Sequence, residues 1–136
     1  MKRKSYQQGG ASSGCYTKEK VMQKTKHKFV WIADDVKIGE GTRIQPFTFI
    51  PSGVTIGKNV FIGPHVCFTN DPRMTCQGPE FWACTHVKDG VKIGAGACIM
   101  AGVTIGEKAV IGMGAVILTD VPAGETWVGN PARKLK

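Results

Sequence analysis

Large apolar residues return at every sixth position along most of this chain. Ile32, Ile38, Ile44, Ile50, Ile56, Ile62 and Phe68 make one run, and Val87, Ile93, Ile99, Ile105, Ile111 and Ile117 make a second. A smaller residue keeps the same period two positions earlier, as at Val36, Thr42, Thr48, Val54, Val91, Ala97 and Ala109. Glycine often follows the large residue directly, as at Gly39, Gly57, Gly63, Gly94, Gly106 and Gly112. In a strand, residues i and i−2 point to one side and i−1 to the other. Each hexad therefore reads as a short strand with a large and a small residue inward, followed by a turn. Three such strands close a triangular coil of about 18 residues, and coils stack at roughly 4.8 Å. The stack buries an aliphatic column that no single hexad could bury. A helix would need a period of 3.6, which hexads do not supply. The pattern predicts an all-β chain, a left-handed parallel β-helix of about four coils over residues 29–121.

The glycine phase also places the one break. One face never has glycine after its large residue: Ala33, Pro51, Thr69, Met100 and Leu118. That alignment holds if Val87 follows Phe68 as the next strand, a step of nineteen residues where six is regular. About thirteen residues within 69–86 must then leave the coil as a loop. The outward i−1 residues of that first face are Trp31, Phe49, Cys67, Cys98 and Val116. The second face offers Lys37, Thr55, His86 and Thr104, and the third Arg43, Phe61, Lys92 and Val110. An apolar stripe on one face of a prism is unsatisfied surface. It predicts contact with a neighbouring subunit in a closed symmetric oligomer, with the loop at the junction.

Charge changes little in this picture. The chain carries 18 Lys and Arg against 10 Asp and Glu, a net +8. Residues 1–28 hold eight of the basic groups and Glu19 alone among the acids. The body is near neutral, and the sequence gives no reason to invoke nucleic acid. The basic, polar leader is expected to be disordered, and residues 122–136 form a C-terminal extension. No run of 18 apolar residues suggests a membrane span. The five cysteines are odd in number and lack CxxC spacing, which suits a reduced, cytoplasmic chain.

The loop gathers Asn70, Asp71, Arg73 and Trp82: an amide, a carboxylate, a guanidinium and an indole. An Asn-Asp-Pro run is also an ordinary turn former. Arg73 has the fork geometry for phosphate, and Trp82 can cover a base or a sugar. Together with the hexads, the stretch Val66-Cys67-Phe68-Thr69-Asn70-Asp71-Pro72-Arg73 and the closing Val128-Gly129-Asn130-Pro131-Ala132-Arg133 resemble the hexapeptide-repeat acyltransferases. The nearest subgroup is the nucleotide-linked amino-sugar N-acetyltransferases. The resemblance implies a homotrimer, with acetyl-CoA in the groove between neighbouring prisms. Backbone near Ala97, Gly114 and Ala115 would hold the pantetheine, with Pro131, Arg133 and Lys136 near the adenine and phosphates. Asn70 would contact the acceptor amine, and Asp71, Arg73, Trp82 and His86 would line the substrate. Asp71 abuts Pro72 here, where the subgroup usually spaces the two.

The resemblance thus implies an acetyl-CoA-dependent N-acetyltransferase. An unprotonated amine is a competent nucleophile, so positioning would provide most of the rate. Two alternatives stand beside it. An O-acetyltransferase would need a base, for which His65, in a turn before the loop, and His86, on its return strand, are the candidates. A non-catalytic β-helical scaffold would need neither. His27 lies in the leader, and two histidines without ligand spacing give no metal site.

Overall fold

The computed structural model describes residues 29–136, so the leader and its expected disorder lie outside the described residues. The chain winds into a parallel β-helix with three sheets. The first face stacks β1 (Trp31–Ile32), β4 (Phe49–Ile50), β7 (Cys67–Phe68), β10 (Cys98–Ile99) and β13 (Val116–Ile117). The second stacks β2 (Lys37–Ile38), β5 (Val54–Ile56), β8 (Thr85–Val87) and β11 (Thr104–Ile105). The third stacks β3 (Arg43–Ile44), β6 (Phe61–Ile62), β9 (Lys92–Ile93), β12 (Val110–Ile111) and β14 (Thr126–Gly129). A last strand, β15 (Ala132–Lys134), turns back antiparallel on β14 after the cis Asn130–Pro131 peptide.

The registers are those the hexads require. Trp31 pairs with Phe49, Phe49 with Cys67, Cys67 with Cys98 and Cys98 with Val116. Lys37, Thr55, His86 and Thr104 form the second column. Arg43, Phe61, Lys92 and Val110 form the third. The inward isoleucines from Ile44 to Ile117 are at most 2% exposed, with Phe68 and Val87 in the same core. Two buried threonines replace valine at the small inward position without leaving polar groups unpaired. The Thr42 hydroxyl donates to Gly57 C=O (2.7 Å) and accepts from Val60 N–H (3.0 Å). Thr48 donates to Gln45 and Gly63 carbonyls.

At several positions just after the large inward residue, coils approach so closely that side chains do not fit. A Cβ on Gly39 would lie 2.5 Å from the Gly57 backbone, and one on Gly94 2.5 Å from Met113 N. Ring stacking adds a second regularity: Trp31 and Phe49 lie parallel on the first face at 4.6 Å. Both are exposed, so the apolar stripe foreseen there is present. At the far end, Trp127 pairs with Ile111 and packs on the core. Its indole N–H donates to Glu125, whose carboxylate also meets Lys134 at 2.7 Å.

Candidate functional site

The excursion leaves the prism at the corner between the first and second faces. Cys67 and Cys98 are paired although 31 residues apart, so 31 less the regular 18 leaves thirteen residues outside the coil. Two threonines root the loop. Thr69 Oγ1, at its exit, accepts from Ala101 N–H (2.9 Å). Thr85 Oγ1, at its return, accepts from Gly102 N–H (3.0 Å), and Thr85 is fully buried. Asn70 C=O accepts from Ala83 N–H (2.9 Å) and closes the loop's base. A short 3-10 turn, Pro79–Phe81, is its one regular element.

Asp71 organises the loop's tip. Its Oδ1 accepts from Arg73 N–H (3.0 Å), and its Oδ2 from the N–H groups of Thr75 (2.8 Å) and Cys76 (2.9 Å). These backbone donors, Cys76 first, hold the carboxyl below the usual aspartate range. The carboxylate for which the resemblance implies a substrate contact is thus already bonded to the loop's own backbone. The side chains of Asn70, Arg73 and Trp82 make no hydrogen bond or ion pair among the described residues. Asn70 and Trp82 are half-buried and Arg73 is exposed.

The histidines are not brought together. His86 points outward from the second face between Thr55 and Thr104. His65 sits at the opposite edge of the first face from its own loop, because β7 crosses that whole face between them. There it stacks on Phe47 (4.9 Å), which stacks on Phe29 (5.6 Å). His65 and Asn70 of one copy therefore lie at opposite edges of that face. Further up the same corner come Gly96 and Gly114, both exposed, and a Cβ on either would meet nothing within 4 Å.

Ala97 and Ala115 face the core. The N–H of Gly114 donates to Ala95 C=O (2.9 Å), while those of Ala97 and Ala115 make longer turn bonds, 3.4 and 3.3 Å. Pro131, Arg133 and Lys136 are exposed on the hairpin at the same end of the prism. Among the described residues no cluster of three metal-ligating side chains occurs, and no helix is long and apolar enough to cross a membrane. Cys67, Cys76 and Cys98 are free. Sequence reasoning missed the two threonine anchors and the Phe29-Phe47-His65 stack.

Fold and site together define a β-helical repeat protein with one loop let out at the edge of an apolar face. The bacterial transferase hexapeptide (six repeats) family matches residues 30–70 and 84–119, so the chain belongs to that family. The gap in the match falls within the loop. Serine acetyltransferase 3, mitochondrial, of Arabidopsis thaliana is 42% identical over 101 residues, 73% of this chain and 25% of that protein. The UDP-3-O-acylglucosamine N-acyltransferase of a Caulobacter species is 36% identical over 102 residues, 75% of this chain and 26% of that protein. A hexapeptide-repeat acetyltransferase of Vibrio cholerae, solved with acetyl-CoA, superposes with a TM-score of 0.70 at 29% identity. That match covers 79% of this chain and 63% of the other. The chain spans between 25% and 42% of the length of the first curated relatives it matches.

Proposed function

We propose that the chain is an acetyl-CoA-dependent N-acetyltransferase that works as a homotrimer on a nucleotide-linked amino sugar. The observation that carries this reading is the rooted loop, which presents Asn70, Arg73 and Trp82 unpaired at the edge of an apolar face. The names of the relatives and the acetyl-CoA of the Vibrio structure support acetyl transfer. The Caulobacter protein's name supports a nucleotide-linked amino sugar.

With the apolar first face turned to a threefold axis, each prism meets two neighbours edge to edge. The corner bearing His65, Gly96 and Gly114 of one copy then faces the loop of the next. Acetyl-CoA lies along Gly114 towards Pro131, Arg133 and Lys136, whose two cations suit its phosphates. The turn bonds of Ala97 and Ala115 are the longest there, so sharing those N–H groups with a ligand carbonyl costs least. The acceptor amine attacks the thioester carbonyl: the C–N bond forms, the C–S bond breaks, and the amine's proton leaves with the CoA thiol. Asn70 orients the amine, Trp82 covers the acceptor, and Arg73 meets its phosphates. Positioning supplies the rate.

Screening nucleotide-linked amino sugars with acetyl-CoA, read by thiol release, tests the proposal. Asn70→Ala should lower kcat/KM by about tenfold or more, ~1.4 kcal/mol in the transition state. Acetyl-CoA that fails to bind at millimolar concentration would favour the scaffold instead. The serine acetyltransferase relative favours a second reading, O-acetylation of a hydroxyl with His65 or His86 as base. Thiol release with hydroxyl acceptors alone, abolished by His86→Ala or His65→Ala, would select it.

A further inference from the structure

One corner of the prism carries a ladder of rings. Phe29 and Phe47 stack at 5.6 Å and 8°, and Phe47 and His65 at 4.9 Å and 20°. Phe47 and His65 share the left-handed backbone conformation, with φ of 64° and 58°, which is uncommon outside glycine. Equivalent backbone bonds continue the position upward. His65 N–H reaches Pro46 C=O (3.2 Å), Gly96 N–H reaches Pro64 C=O (2.9 Å), and Gly114 N–H reaches Ala95 C=O (2.9 Å). The next rung above His65 is therefore Gly96, at φ 70°. Backbone conformation favours glycine there, yet Phe47 and His65 adopt the same conformation at this corner and bear its strain. Packing does not demand it, because a Cβ on Gly96 would meet nothing within 4 Å. One face of the His65 ring is covered by Phe47; the other looks onto that open rung.

We propose that the open rung above His65 takes the flat C–H face of the acceptor's sugar ring. This rests on the amino-sugar reading above, and it assigns His65 a positioning role in place of a base. The axial C–H groups of a pyranose carry partial positive charge and suit the negative face of an aromatic ring. Coils rise by about 4.8 Å, close to the ring spacing of the ladder, so a ring at the level of Gly96 continues the stack. The neighbouring copy's loop closes over it with Asn70 and Trp82. Its amine then lies at the end of the Gly114 strip, where the thioester arrives.

Three variants test this, with UDP-glucosamine as the probe, saturation-transfer NMR for binding and thiol release for turnover. His65→Phe keeps the ring and removes the titratable nitrogens. His65→Ala removes the ring. Gly96→Phe adds a rung in a conformation that Phe47 already adopts. His65→Phe should keep the probe's KM within about threefold, whereas His65→Ala raises it about tenfold with kcat little changed. Gly96→Phe should abolish probe binding. Both His65 variants should melt and bind acetyl-CoA as the parent protein does. If His65→Phe loses turnover as His65→Ala does, or Gly96→Phe binds the probe normally, the inference is wrong. Parent protein that binds acetyl-CoA but not UDP-glucosamine also overturns it. Failure to bind acetyl-CoA would instead overturn the acetyltransferase reading beneath it.

Discussion

Replacing Thr85 by Val asks whether the roots of the loop determine its order. Valine fills nearly the same volume, so the core keeps its shape. The change removes one acceptor, Thr85 Oγ1, from Gly102 N–H at 3.0 Å. Thr85 is fully buried, and its own N–H remains bonded to Gly53 C=O (3.0 Å). A backbone donor left without its partner costs about 1–2 kcal/mol. The methyl that replaces the hydroxyl returns up to about 0.8 kcal/mol. The expected net loss is about 1 kcal/mol, or roughly 4–8 °C in the melting temperature of a domain near this size. Loosening should be greatest in the loop, where exposed Arg73 offers trypsin a cleavage point. Thermal unfolding by circular dichroism and the trypsin rate at Arg73 would be measured together. Thr69→Val breaks a similar bond to Ala101 at 2.9 Å. There the orphaned donor belongs to buried Ala101, whereas Gly102 is exposed, so the cost of Thr69→Val is at least as large. Ala101 and Gly102 are neighbours, so the double variant should not be additive. A Thr85→Val protein that melts and is cut like the parent would refute the reasoning.

Three further outcomes are expected. The Asp71 carboxyl is depressed in the folded loop, chiefly by the Cys76 N–H. Its contribution to loop order is therefore present above the unfolded value of about 3.9 and lost as pH falls through the lower folded value. Asp71→Asn should raise trypsin sensitivity at neutral pH and abolish that extra acid sensitivity; an unchanged acid profile would contradict the assignment. Burial, and then neighbouring Cys98, pushes the Cys67 thiol up, so iodoacetamide should modify exposed Cys76 well before Cys67, and mass spectrometry of the peptides would reveal the reverse order. Ile62 is fully buried at mid-stack, so Ile62→Ala should cost about 3–4 kcal/mol in urea unfolding, and a loss below about 1 kcal/mol would mean the column is loosely packed.

The coil was legible because its register is arithmetical. A side-chain period of two, nested in a period of six, fixes which residues pair, as Arg43, Phe61 and Lys92 illustrate. The C-terminal end was less legible. Trp127 pairs with Ile111 only 16 residues earlier, so the last corner is two residues short and the hexad phase breaks. Inside the loop no period exists, and the bonds from Asp71 to residues 73–76 depend on irregular backbone. The threonine anchors were hidden because Thr69 and Thr85 meet adjacent residues of another coil. The ring ladder was legible in principle, since 29, 47 and 65 are 18 apart, but these are turn positions, where the strand pattern says nothing. Only five positions separate His65 from Asn70. A strand that spans a full face puts them at opposite edges.

The thirteen residues let out after Phe68 do not disturb the stack: Cys67 and Cys98 pair in the same register as Phe49 and Cys67. The coils are thus indifferent to how much chain connects them at that corner. Closing a loop twice as long costs only about 0.6 kcal/mol more. Specificity is therefore separable from stability in this architecture. The corner is a socket into which a different insert, longer or otherwise composed, could be fitted to change the molecule recognised, while the donor strip and the aliphatic column stay as they are.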